Sequence, residues 1–296
     1  MVKLKGKPKF CFSTLQREVT LVKYSATSVK GYASAWDSVT HYGHTLCLDS
    51  ELNCGLEISS TNVKELVEMV EFQPYATCPL EMMSKIVQFK EVGKKIVCVG
   101  RNYREHAAEL NNPVPSKPML FLKPTSAYIS EGETIKIPKG CSDLNHEVEL
   151  GIVIGTTARD VPQADAMNYV GGYALGLDMT ARDWQAEAKS KGHPWSVAKG
   201  FDTSCPISKF IEKEKIPNPN NLDIWLKVNG EMRQSGNTKD MIFPIEHLIS
   251  FASQCFTLEP GDLLLTGTPS GVSKLNSGDV IQAGLADIIQ IQFSVK

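Results

Sequence analysis

From residue 95 onward the chain alternates short apolar runs with clusters of turn residues, and most of the runs have strand length. Lys95–Gly100 is one such run. Val148–Ile154 is another, and its Val148, Leu150, Ile152 and Ile154 leave little room for a water-facing side, so it is predicted to be a fully buried strand. Tyr169–Asp178 is a third and ends in a carboxylate. Ile224–Gln234 holds two alternating arms around Asn229-Gly230, the favoured pair for a type I′ hairpin turn. Pro244 opens a helix with Ile245, Leu248, Ile249, Ala252 and Phe256 on one face. Glu259-Pro260-Gly261-Asp262 is a turn leading into a strand Leu263–Thr266, and the chain closes on the alternation Ile289, Ile291, Phe293, Val295. Strands outnumber helices, and the helices do not recur between strands as βαβ units require. The prediction is an α+β, β-rich fold with short inserted helices.

Residues 1–82 behave differently. A Lys-rich start (Lys3, Lys5, Lys7, Lys9) gives way to an acidic stretch around Glu65, Glu68, Glu71 and Glu81. The one amphipathic segment is Val63–Val70, a short helix with Val63, Leu66, Val67 and Val70 on one face. The expected division is therefore an N-terminal extension of unassigned role, 1–82, and a larger domain, 83–296. A formal net charge of −2 gives no electrostatic footprint for nucleic acid or an anionic membrane. No apolar run approaches the roughly 20 residues of a membrane-spanning helix. Eight scattered cysteines without a CxxC pair are expected to be free thiols of a reducing compartment.

Candidate chemistry begins at His146-Glu147-Val148-Glu149. Glu147 and Glu149 stand two apart on a strand and project to the same face. Side by side on an apolar strand they repel and are costly to desolvate unless a cation compensates. With Asp178 at the end of another strand they form an all-oxygen donor set, which suits Mg²⁺, Mn²⁺ or Ca²⁺ rather than zinc. The competing reading is a solvated Glu-x-Glu face. His106 and Glu109, at i and i+3, would be neighbours on a helical turn, where the carboxylate orients the imidazole and raises its basicity; an incidental surface pair is the alternative. Arg182 and Gln185 follow Asp178 on one face of an expected helix, Arg182 being either a substrate-carboxylate clamp or a partner of Asp183. Lys199 is a lone cation in an apolar stretch, either surface-seeking or buried with work to do. Thr266-Gly267-Thr268-Pro269-Ser270-Gly271 is a strand-end turn able to present N–H groups and a hydroxyl, without the GK[ST] ending of a P-loop.

Taken in order, Gly100-Arg101-Asn102-Tyr103 with His106, His146-Glu147-Val148-Glu149-Leu150, Gly171-Gly172-Tyr173, Leu177-Asp178-Met179-Thr180-Ala181-Arg182-Asp183, Lys199 and Thr266-Gly267-Thr268-Pro269 resemble the fumarylacetoacetate hydrolase superfamily, from about Lys94 to the C-terminus. The likeness is to its acylpyruvase and oxaloacetate decarboxylase/tautomerase branch of small mitochondrial proteins. The resemblance implies a mixed β-roll or barrel-like catalytic domain, a homodimer, and Mg²⁺ (or Mn²⁺) held by Glu147, Glu149 and Asp178. It also implies catalytic roles for His106, Glu109 and Lys199 and substrate contacts from Arg182, Gln185 and Thr268. An extra aspartate ligand found in the family's namesake has no counterpart in Val97-Cys98-Val99-Gly100, so three protein ligands are expected. Residues 1–82 resemble nothing in that branch, and Met82 or Met83 stands where such a protein would begin. The implied reactions are hydrolysis of acylpyruvates and decarboxylation or tautomerisation of oxaloacetate. The rivals are an isomerase or decarboxylase of homoprotocatechuate type and a catalytically silent metal-binding protein. The expected location is the mitochondrion, with the cytosol as alternative, because the basic start is Lys- rather than Arg-rich.

Overall fold

The computed structural model describes residues 86–109 and 113–296, together with three strands nearer the start. The chain divides into two compact units, Met1–Met82 and Met83–Lys296. In the first, Cys11–Thr14, His44–Cys47 and Ser38–His41 form an antiparallel sheet in that spatial order. The helix predicted over Val63–Val70 lies outside the described residues.

The second unit is built on a six-stranded mixed sheet, in the order Ile211–Glu212, Val170–Leu177, Val148–Ile154, Leu263–Leu265, Ile96–Gly100, Met119–Lys123. Only the contact between Leu263–Leu265 and Ile96–Gly100 is parallel. A five-stranded sheet runs Glu231–Asn237, Asp223–Val228, Val280–Leu285, Ile289–Val295, Thr134–Ile135. The fold is thus strand-rich and mixed with few helices, as predicted. Among the described residues each strand order runs between two edges, so the mixed β-roll or barrel-like unit implied by the resemblance is present without a closed barrel.

Period-two alternation explains how the six-stranded sheet is buried on both faces. Val97, Val99, Leu150, Ile152, Leu175, Leu177 and Leu264 point into the main core. There they meet Ile224, Leu226, Ile281 and Phe293 of the five-stranded sheet and Leu248, Ile249 and Ala252 of the helix Ile245–Cys255. Ile96, Cys98, Val153, Ala174, Leu263 and Leu265 point the other way, into a smaller core with Phe89, Cys205 and Ile207. Glycine keeps this second face thin: a Cβ at Gly176 would stand 2.9 Å from Leu265 Cδ2 and 3.0 Å from Ile207 Cδ1.

Two predicted turns form for the reasons that suggested them. Asn229 and Gly230 both take positive φ, 51° and 84°, as a type I′ turn demands. In the turn before Leu263, fully buried Asp262 accepts from the backbone N–H of Lys94 (2.9 Å), Lys95 (3.1 Å) and Glu259 (2.8 Å) and pairs with Lys95 Nζ at 2.5 Å. One boundary differs from expectation. The helix after Asp178 begins only at Arg182, because Thr180–Ala181 is drawn into a short sheet with Leu144–Asn145.

Candidate metal centre and proton-transfer site

Glu147 immediately precedes the strand Val148–Ile154, and Asp178 immediately follows its antiparallel neighbour Val170–Leu177. The register sets Leu177 against Val148 and Gly176 against Glu149, and the Asp178 N–H donates to Glu147 O at 2.8 Å. Three carboxylates thereby arrive at one strand end, on the face of the smaller core. One ligand oxygen from each lies within 4.8 Å of the others, and all three side chains are buried. The solvated Glu-x-Glu reading does not survive this burial.

Such a cluster stands only with cations about it. Lys199, the last residue of the short helix Ser196–Lys199, donates to Glu147 Oε2 (2.9 Å) and Asp178 Oδ2 (2.6 Å). Arg182 Nη2 reaches Glu147 Oε1 at 2.6 Å. Burial opposes charge on Glu147, but Lys199 and Arg182 outweigh it and hold this carboxyl well below its ordinary range. Burial likewise opposes charge on Lys199, and Asp178 and Glu147 overcome it, raising the ammonium above its usual pKa. Glu149 has no comparable partner. Burial first, then Asp178 and Glu147, push it well above the carboxylate range, against a single N–H from Gly267 at 2.7 Å. Asp178 Oδ1 is 2.7 Å from Lys123 Nζ but out of line for a hydrogen bond, so this buried oxygen has no hydrogen-bond donor. An all-oxygen trio with one member short of positive charge and one orphaned oxygen fits a hard divalent cation.

Lys123 is a residue that the sequence reading missed. It is fully buried at the end of the edge strand Met119–Lys123, and its ammonium donates to Met179 O (3.1 Å), Ser204 O (2.9 Å) and Lys199 O. The available signal was the one noticed at Lys199, a single cation closing an apolar run. Gln234 was missed too. Its fully buried amide accepts from Val148 N–H (3.1 Å), bonds His146 Nδ1 (2.9 Å), and donates to Thr268 Oγ1 (2.7 Å) and Pro269 O (2.8 Å). No local pattern marks it, since its partners lie far along the chain.

The remaining predicted residues fall in two groups. His106 and Glu109 share the helix Arg104–Glu109, with His106 Nδ1 3.1 Å from Glu109 Oε2, and Gly271 N–H donates to Glu109 Oε1 at 3.1 Å. The turn after Leu263–Leu265 therefore braces the dyad. His106 lines a hollow together with Glu147, Arg182, Gln185 and Lys199, so these residues meet at one place. Arg182 does not pair with Asp183, which is held instead by Ser142; besides Glu147 it bonds Gln185 Oε1 at 2.8 Å. Thr268 stands apart. Its hydroxyl donates to Val148 O (2.8 Å) and accepts from Gln234, which makes it a brace of the glutamate strand rather than a free donor in the hollow.

Comparison with known proteins places this geometry. Residues 95–296 match the family model described as fumarylacetoacetate (FAA) hydrolase, C-terminal. The mouse (Mus musculus) mitochondrial oxaloacetate tautomerase FAHD1 is 54% identical over 209 residues, 71% of this chain and 95% of that protein. The mitochondrial oxaloacetate decarboxylase of Dictyostelium discoideum is 54% identical over 210 residues, 70% and 96% of the two chains. Among solved structures, fumarylpyruvate hydrolase from Pseudomonas aeruginosa, in complex with Mn²⁺ and pyruvate, superposes with a TM-score of 0.66 at 35% identity, covering 69% of this chain and 89% of that one. With its glutamate strand, aspartate and dyad in the matched region, the chain belongs to the fumarylacetoacetate hydrolase family of enzymes, in likeness to its oxaloacetate tautomerase and decarboxylase branch.

Proposed function

We propose that the protein is a divalent-cation-dependent oxaloacetate tautomerase that also decarboxylates oxaloacetate, working with Mg²⁺ or Mn²⁺. The observation that carries the reading is the meeting of three buried carboxylates, a His–Glu dyad and a buried lysine at one hollow. The matched relatives named for oxaloacetate give the substrate. A cation on Glu147, Glu149 and Asp178 would supply a Lewis acid for the 2-oxo and adjacent carboxylate oxygens, favouring the enolate. His106, its Nδ1 engaged by Glu109, has Nε2 left to take a proton from C3 of the keto acid and return it. Lys199 holds positive charge beside the carbon–oxygen group that becomes the enolate. The same enolate forms when the bond to the departing carboxylate breaks, so one constellation serves both reactions.

A second reading, hydrolysis of acylpyruvates, is favoured by the apolar wall of Met119, Phe121 and Trp195 in the same hollow. There His106 would activate water against the distal carbonyl. A homodimer and a mitochondrial location complete the proposal, the latter resting on the names of the relatives.

Glu147→Ala tests the assignment directly. Mn²⁺ binding by calorimetry and turnover of both keto- and enol-oxaloacetate should be lost together. Retention of the wild-type rate would overturn the metal assignment, and a wild-type protein active on acetylpyruvate alone would overturn the choice of substrate.

A further inference from the structure

Four cationic side chains line the hollow: Arg101, Arg182, Lys189 and Lys199. Arg182 and Lys199 are engaged by Glu147 and Asp178, at the carboxylate end. Arg101 and Lys189 have no acidic partner and no side-chain hydrogen bond among the described residues. They are also deliberately placed. Arg101 follows the strand Ile96–Gly100 with φ at +60°, a left-handed conformation costly for a residue other than glycine. The chain is pinned there by the next residue. Fully buried Asn102 donates to Phe243 O (3.0 Å) and Thr266 O (2.8 Å) and accepts from Phe243 N–H (2.8 Å). Lys189, on the helix Arg182–Lys191, lays its ammonium 5.1 Å from the Trp195 ring centroid, which orients the charge without neutralising it. Partial burial, and then the charges of Arg182, Arg101 and Lys199, hold Lys189 below its ordinary pKa against a smaller opposing pull from Glu147, as expected where cations outnumber the one carboxylate that lines the hollow with them.

We propose that Arg101 and Lys189 form a subsite for the distal carboxylate of a dicarboxylic 2-oxo acid. They would select such an acid over a monoacid that presents the same 2-oxo-carboxylate head to Glu147, Glu149 and Asp178. A rigid guanidinium fork with a second cation at the rim is suited to a carboxylate. The inference rests on the proposed oxaloacetate reading, but its test is separable from that reading.

The probes are sulfopyruvate, a dianion that keeps the 2-oxo acid head and replaces the distal carboxylate with a sulfonate, and pyruvate, which has the head alone. Calorimetry on the full-length protein with Mn²⁺ should show sulfopyruvate binding at least about tenfold more tightly than pyruvate. In Arg101→Asn, a residue that tolerates positive φ, combined with Lys189→Met, which keeps the stem over Trp195, that preference should vanish while pyruvate binding stays within about twofold. The KM for oxaloacetate should rise about tenfold or more with Mn²⁺ affinity unchanged, and the separate conservative variant Lys189→Arg should keep most of the preference. No preference in the wild type, or equal weakening of both ligands in the double variant, overturns the subsite. A wild type that shows the preference but does not turn over oxaloacetate keeps the subsite and removes the oxaloacetate reading.

Discussion

Gln234 shows how much of the site one uncharged side chain holds. It ties the strand Glu231–Asn237 to His146, to the N–H of Val148 and to the Thr268–Pro269 turn, so the start of the glutamate strand is fixed from outside its own sheet. Gln234→Leu keeps the volume and strands buried donors and acceptors on each partner. Stability should fall by about 3 kcal/mol, read as a lower urea midpoint for the metal-free protein. Because Glu147 and Glu149 flank Val148, Mn²⁺ affinity should fall as well. A midpoint and affinity equal to wild type would show that the amide is dispensable. At this scale the sequence was legible where partners are near in the chain. Glu147 with Glu149 and His106 with Glu109 follow from strand and helix periodicity alone. Lys123 carried the same signal as Lys199, a cation closing an apolar run, but Asn102 and Gln234 were not legible, because their partners come from segments that only the finished fold brings near.

The strands were legible where they are long and apolar, since burial on both faces leaves an unbroken run, as in Val148–Ile154. Met119–Lys123 was not, being half-buried at a sheet edge and lacking alternation. Two-residue pairings such as Thr180–Ala181 with Leu144–Asn145 carry no period at all, and one of them delayed the helix expected to start at Asp178. Glycines in the sheet allow a sharper test of packing. A Cβ at Gly155 would lie 2.7 Å from the Gly171 Cα and 2.8 Å from its N, where a register irregularity between Val170 and Gly172 brings two backbones together. Neither backbone can yield, so Gly155→Ala should cost about 3 kcal/mol. At Gly176 the obstacles are only the tips of Leu265 and Ile207, which can turn aside, and Gly176→Ala should cost about 1 kcal/mol. Thermal melts of the two variants side by side check the order, and an inverted order would refute this account of the packing.

At the scale of the molecule, the family match and the centre described here both fall within Met83–Lys296, and this chain covers 95% of the mouse relative with only 209 matched residues. Residues 83–296 expressed alone should therefore fold and keep at least about half of kcat/KM on oxaloacetate, activation energies being nearly unchanged. An insoluble or inactive fragment would assign residues 1–82 a part in folding or catalysis. The one parallel contact of the six-stranded sheet has a consequence for synthesis. Ile96–Gly100 gains its neighbour Leu263–Leu265 only after about 160 further residues have been made, since Lys95 and Asp262, at the ends of the two strands, are 167 apart. Closing so long a loop is entropically slow. During translation the first strand of the unit waits, half-paired, for a partner that emerges near the end. The Asp262 clasp on Lys94 and Lys95 then acts as a late latch, and variants that weaken it should show their defect first as slow refolding and aggregation of nascent chains.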